Sequence, residues 1–85
     1  METKTPARFT LWQVELTDTF GRQPNYSWVK RETLELSASA SERQVILAAK
    51  LALGLTGQRC RRFNYGCGFE LRPVGSCSVA FILPA

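Results

Sequence analysis

The chain has 85 residues, of which 45% are hydrophobic and 21% charged, a composition typical of one small globular domain and not of a disordered segment. Lysine and arginine outnumber aspartate and glutamate by 11 to 7, so the net charge is +4. Histidine is absent, which excludes His-based acid–base catalysis, Ser–His and Cys–His nucleophile pairs and His-containing zinc sites. We expect residues 1–85 to form a single domain, with residues 1–7 flexible.

The first part of the chain predicts a β-hairpin. Within residues 8–18, the apolar Trp12, Val14 and Leu16 alternate with polar residues, which is the period of a half-buried strand. Residues 19–25 contain glycine, proline and asparagine and therefore predict the turn.

The second strand of the hairpin is predicted over residues 26–36. Its Trp28 is expected in the core, yet Lys30 and Glu32 have the same parity and would lie on the same face. The strand therefore either carries a bulge or projects beyond the core in its first half.

A helix is predicted to begin near Ser39 and to run to about Leu53. Ser39 and Glu42 have the spacing of a capping box, and Gly54 or Gly57 would end the helix. The apolar residues fall on one stripe that suits packing on a sheet. They are Val45, Ala48, Ala49 and Ala52, widened by Ile46, Leu53 and Leu55.

Short strands are predicted after the helix, over residues 59–64, 69–72 and 76–83, with turns at 66–68 and 73–75. The last strand is apolar on both faces in its second half, which favours a central position in the sheet. The element order is β-β-α-β-β-β, or β-β-α-β-β if the third and fourth strands merge. The predicted fold is therefore α+β, with two layers: one helix packed on a mostly antiparallel sheet of four or five strands.

The three cysteines are Cys60, Cys67 and Cys77, and no two of them form a C-x-x-C pair. We expect small buried side chains in strands. A Cys60–Cys77 or Cys67–Cys77 disulfide and a reactive or ligand role remain alternatives. No metal or other cofactor is expected.

The N-terminal residues are polar and lack an apolar signal-peptide core, and the longest apolar stretch, 45–55, is interrupted by Lys50. We therefore expect a soluble cytoplasmic protein with no membrane contact.

The basic excess lies in residues 56–85, where four arginines against Glu70 give +3. Three of these arginines lie just after the predicted helix and immediately precede two aromatic residues. This first candidate cluster is Arg59, Arg61, Arg62, Phe63 and Tyr65. In an extended segment Arg59, Arg61, Phe63 and Tyr65 share one face. Arginine beside aromatic rings can bind single-stranded nucleic acid or a nucleotide, or an acidic protein surface, although a solvated strand has the same pattern.

The hairpin carries a second candidate cluster with the composition of a protein-binding hot spot. Its members are Phe20, Arg22, Tyr26, Trp28, Lys30 and Arg31. The alternative interpretation places Tyr26 and Trp28 in the core.

No catalytic constellation is evident. The sequence-near carboxylates Glu15 and Asp18, like Glu32 and Glu35, have opposite strand parity and form no acid–base dyad. Walker, G-x-S-x-G and dinucleotide-binding glycine patterns are absent. We therefore expect a protein that is not an enzyme.

Residues 18–21 (DTFG) and 25–31 (NYSWVKR) resemble a segment of the form TDTFGG-x-A-NYSWVRR in a group of small phage- and prophage-encoded proteins. The chain departs from that pattern at residues 22–24, where Arg-Gln-Pro replaces small residues. The resemblance implies an accessory phage product in the bacterial cytoplasm, such as an anti-CRISPR-like inhibitor of host defence. No catalytic residue is carried over from it.

Three hypotheses follow from these patterns. The leading one is a stoichiometric inhibitor that binds a bacterial defence or host protein. The alternative is a nucleic-acid or nucleotide-binding module that uses the arginine-rich strand. The third is self-association, in which an exposed sheet edge pairs across a two-fold axis to form a homodimer.

Overall fold

A computed structural model describes residues 8–85, so the expectation of a flexible segment at residues 1–7 lies outside the described residues. The described chain contains five strands and one helix in the order predicted, with the third and fourth strands separate. The elements are β1 (Phe9–Phe20), β2 (Gln23–Ser37), α1 (Glu42–Leu53), β3 (Cys60–Asn64), β4 (Phe69–Pro73) and β5 (Ser78–Pro84).

The strands form one antiparallel sheet in the order β2-β1-β5-β4-β3, which confirms the α+β prediction. The apolar β5 lies between β1 and β4, so the prediction of a central position for this strand is correct. Helix α1 packs on one face of the sheet, because its buried stripe joins the core residues of the strands. The cluster includes Val14, Leu16, Leu71, Ala80 and Ile82 from the sheet, and Val45, Ala49 and Leu53 from the helix.

The hairpin turn is shorter than predicted. It consists of Gly21 and Arg22 alone, with φ of 57° and 68°, the two positive φ angles that a type I′ hairpin turn requires. Strand pairing resumes immediately at Phe20 and Gln23. The proline and asparagine that suggested a longer loop lie within β2.

A wide bulge follows in β2. Thr17 pairs with Val29 but Thr19 pairs with Pro24, so four β2 residues, 25–28, lie opposite Asp18 alone. The Asp18 carboxylate accepts hydrogen bonds from Asn25 Nδ2 at 2.9 Å and from the backbone N–H of Ser27 at 2.9 Å, and a third from the Ser27 hydroxyl. These bonds lower the pKa of Asp18 well below its usual range.

The first half of β2 projects beyond the core, so the bulge and the projection that the sequence left as alternatives both occur. Trp28 is 47% exposed and Tyr26 is 49% exposed, which makes the prediction of a core Trp28 wrong. Helix α1 covers the sheet only as far as Leu34 and Leu36 of this strand, and these two pack against the core.

The capping box also differs from the prediction. Ser41, not Ser39, is the N-cap: its hydroxyl accepts from the Gln44 N–H, and the Gln44 side chain accepts from the Ser41 N–H at 2.8 Å. Ser39 is held instead by Ser37, whose hydroxyl lies 2.8 Å from its own. Glu42 is the first helical residue, and Gly54, with φ of 75°, ends the helix as predicted.

The cysteines are only partly as predicted. All three are free thiols, and Cys60 lies half-buried at the start of β3, against the core. Cys67 and Cys77 are exposed and lie in the bends outside the strands, which corrects the expectation that they are buried. Among residues 8–85, no helix is long and apolar enough to cross a membrane.

Candidate functional site

The sheet has a second face, opposite helix α1, which we call the open face. Side chains alternate across each strand, so residues next to core positions point to this other side. Its residues are Gln13, Glu15 and Thr17 of β1, Val29 and Arg31 of β2, Arg61 and Phe63 of β3, Glu70 and Arg72 of β4, and Val79, Phe81 and Leu83 of β5. Within residues 8–85, the only helix packs on the other face.

Glu15 is the centre of one polar cluster on the open face. It accepts a hydrogen bond of 2.6 Å from the Tyr26 hydroxyl and forms a 2.7 Å ion pair with Arg31 Nε. Arg31 is its direct partner across the β1–β2 pair, whereas Tyr26 reaches it from the bulge with a φ of 55°. The two donors lower the pKa of Glu15, with the Tyr26 bond contributing most. The carboxylate in turn raises the pKa of Tyr26.

Glu70 is the centre of a second cluster with the same composition. It accepts a hydrogen bond of 2.8 Å from the Tyr65 hydroxyl and forms a 2.6 Å ion pair with Arg72 Nε. The bond to Glu70 raises the pKa of Tyr65. Phe81 is the register partner of both Glu15 and Glu70, so the two clusters flank its ring on adjacent strands.

A shallow depression of about 300 Å³ lies over the middle of the open face. Tyr26, Phe81 and Leu83 provide apolar walls, while Gln13 and Glu15 provide polar ones. Tyr26 and Leu83 remain 49% and 45% exposed. The depression is thus partly apolar, and the Glu15 carboxylate in its wall already accepts hydrogen bonds from Tyr26 and Arg31.

A larger groove of about 570 Å³ lies at the end of the open face next to the hairpin turn. We call it the arginine groove. It is lined by Arg22, Gln23, Arg61, Phe63, Arg72 and the turn Pro73, Val74 and Gly75. Arg72 Nη1 donates a hydrogen bond of 3.0 Å to the Arg22 carbonyl oxygen, and this bond connects the two sides of the groove.

The structure brings six of the eleven residues of the two candidate clusters to the open face. Arg22, Arg61 and Phe63 meet in the arginine groove, although the sequence had placed them in separate clusters. The other three contact the two carboxylates: Tyr26 and Arg31 at Glu15, and Tyr65 at Glu70.

Of the other five, Trp28 lies in the bulge of β2 and is 47% exposed, and four lie elsewhere. Arg62 pairs with Leu71 and Lys30 with Leu16, both core residues, so these two cations lie on the helix side of the sheet. The remaining two, Arg59 and Phe20, are exposed, with Arg59 in the connection before β3 and Phe20 at the hairpin turn.

Sequence reasoning missed Glu15, Glu70, Arg72, Phe81 and Leu83 as members of the open face. Strand parity groups Phe81 with Leu83, and Glu70 with Arg72. It cannot say which strands are neighbours, and therefore cannot place Glu15 and Glu70 on either side of one phenylalanine.

Within residues 8–85, no group of three Cys, Asp or Glu side chains is placed to hold a metal ion. No family model, no curated protein and no solved structure matches this chain.

Proposed function

We propose that this chain is a non-enzymatic binding protein that forms a stoichiometric complex with one protein partner through the open face. The observation that carries the proposal is the central depression, in which half-exposed Tyr26 and Leu83 surround Phe81. Tyrosine and other large side chains around a small socket are the usual anchor points of protein interfaces.

The polar groups of the open face also favour binding. Glu15 and Glu70 are largely buried, and each is already paired with an arginine and a tyrosine. A partner that covers them need not supply the counter-charge, which reduces the desolvation cost of the complex. The same hydrogen bonds restrict the tyrosine rings, so less side-chain entropy is lost on association.

The segment that resembles phage and prophage proteins builds one wall of this depression. Asp18, Asn25 and Ser27 form the bulge, and the bulge brings Tyr26 to Glu15. We infer that the partner is a bacterial defence or host protein in the bacterial cytoplasm, and that the chain is a phage-encoded, anti-CRISPR-like inhibitor. The absence of histidine and the double pairing of each open-face carboxylate support binding over catalysis.

The test is affinity purification of a partner from bacterial lysate, followed by reconstitution of the complex and measurement of its stoichiometry and Kd. Leu83→Arg places a charge beside the depression, and we expect it to weaken the complex by at least about 100-fold, equivalent to about 3 kcal/mol. Leu51→Arg is the matched control, since Leu51 is 72% exposed on the helix, far from the open face.

Two results would reject the proposal. One is that no protein binds in a fixed stoichiometry. The other is that Leu51→Arg and Leu83→Arg weaken the complex equally while both variants keep the wild-type Tm. Arg61→Glu, in the arginine groove, should leave the partner's Kd within about threefold of wild type.

A further inference from the structure

The arginine groove concentrates positive charge. Arg22, Arg61 and Arg72 line it, and Glu70 is the one carboxylate bonded to any of the three within residues 8–85. Glu70 pairs with Arg72, so Arg22 and Arg61 add two uncompensated charges at the groove. Such an excess attracts an anion.

Two of these arginines are direct neighbours. Arg61 is the register partner of Arg72 across the β3–β4 pair, and like charges in that position destabilise a sheet. An anion bound between the two guanidinium groups would remove the repulsion.

Arg72 is already positioned to receive such an anion. Its Nε is fixed at 2.6 Å from Glu70, and its Nη1 at 3.0 Å from the Arg22 carbonyl. Its Nη2 has no partner among residues 8–85, so that amino group and the Arg61 guanidinium remain as donors. Arg22 adopts a φ of 68°, a conformation uncommon for a residue other than glycine. The groove is therefore built on the hairpin turn and on a guanidinium held by two hydrogen bonds.

The groove also contains an aromatic ring. Phe63 lines it beside Arg61 and is 43% exposed, so one part of the ring is free to stack. A volume of about 570 Å³ lies within the usual range of small-molecule sites. Arginine forks match phosphate geometry, and a base stacks on a phenylalanine ring.

We propose that the arginine groove binds the phosphate of a nucleotide, with the base stacked on Phe63. A free nucleotide and one residue of single-stranded nucleic acid both present a phosphate group and a base that can stack. This inference does not depend on the protein partner proposed above, since none of the side chains that line the groove also lines the central depression.

The test measures binding of the full chain to AMP, and to a fluorescein-labelled ten-nucleotide single-stranded DNA, at low salt. We expect Arg61→Glu to weaken binding at least tenfold and Phe63→Ala to weaken it about tenfold. Arg62→Glu is the matched control, because it makes the same charge change one residue away, on the helix side of the sheet. It should weaken binding no more than about threefold, and Tm values confirm that each variant is folded.

The two sources give different results. Tighter binding of the oligonucleotide than of AMP, with an affinity that falls steeply with salt, assigns the groove to single strands. Equal affinity assigns it to free nucleotides. The proposal is overturned if neither probe binds, if Arg62→Glu is as damaging as Arg61→Glu, or if a poly-glutamate peptide binds as tightly and is unaffected by Phe63→Ala.

Discussion

Glu15 and Glu70 lie on either side of Phe81 in the same cross-strand row, and each accepts one hydrogen bond from a tyrosine and one from an arginine. The first cluster lies within residues 15–31 and the second within residues 65–72. Their common pattern gives the open face two fixed phenol groups whose state can be measured directly.

The chain contains only two tyrosines, and both donate to these carboxylates. We expect both phenols to titrate above their ordinary pKa of about 10, because the neighbouring carboxylate disfavours the phenolate. Ultraviolet absorbance of tyrosinate against pH measures this. Glu70→Gln should return one of the two steps toward the ordinary value and leave the other in place.

The same shift affects stability at high pH. Each tyrosine releases its proton less readily in the folded chain than in the unfolded one, so stability falls as the pH rises above about 10. Two tyrosines that titrate as in a denatured sample would contradict the geometry of both clusters.

Asp18 predicts a pH dependence at the acid end. Its pKa is lowered by the bonds from Ser27 and Asn25, so its stabilising contribution is present above about pH 4 and is lost as the pH falls. Thermal unfolding of Asp18→Asn between about pH 6 and pH 2 should show a lower Tm near neutrality and a weaker decline toward acid than wild type. Glu32→Gln, on the same hairpin, is the control, and parallel curves for wild type and Asp18→Asn would refute this role.

Gly68 marks a close approach between the connection before β4 and strand β5. A Cβ at this position would lie 2.6 Å from the Ile82 carbonyl oxygen and would overlap with Leu83 Cδ2. Leu83 can move, but the backbone oxygen cannot do so without disturbing the sheet. We expect Gly68→Ala to reduce the free energy of unfolding by about 1–3 kcal/mol in urea denaturation. Cys67→Ala, at the exposed neighbouring position, should change it by less than about 0.5 kcal/mol.

Ser41 caps the helix and Ser39 does not, although both have a suitable partner three residues later in the sequence. Ser41→Ala removes the side-chain bond to the Gln44 N–H and should cost about 1 kcal/mol of stability. Ser39→Ala removes an exposed bond to Ser37 and should cost less than about 0.5 kcal/mol. Equal costs in chemical denaturation would show that the cap lies elsewhere.

Local patterns predicted the elements of this fold well, because each pattern depends on residues close in sequence. The alternation around Val14, the apolar stripe around Val45 and the two-sided apolarity of residues 79–83 all lead to the observed strands, helix and central strand. The capping box was misplaced by two residues, since Ser39 and Ser41 both precede a residue able to complete it.

The candidate site was harder to predict because it depends on register. Trp28 has the parity of a core residue, but the bulge opposite Asp18 lies where the helix no longer covers the sheet. In the sequence, Arg72 contributes only to the net charge of residues 56–85, whereas its pairing with Arg61 follows from the β3–β4 alignment. No spacing within one strand contains that information.

The central position of β5 has a consequence for how the chain acquires its structure. β5 is synthesised last of the five strands, yet it is the one that joins the β1–β2 hairpin to the β3–β4 pair. During translation, the hairpin and helix leave the ribosome with the β1 edge exposed, and the sheet cannot close until residues 78–84 have emerged. The two tyrosine–carboxylate clusters, and the arginine groove beside them, are therefore held together only through the pairing of β5 with β1 and β4.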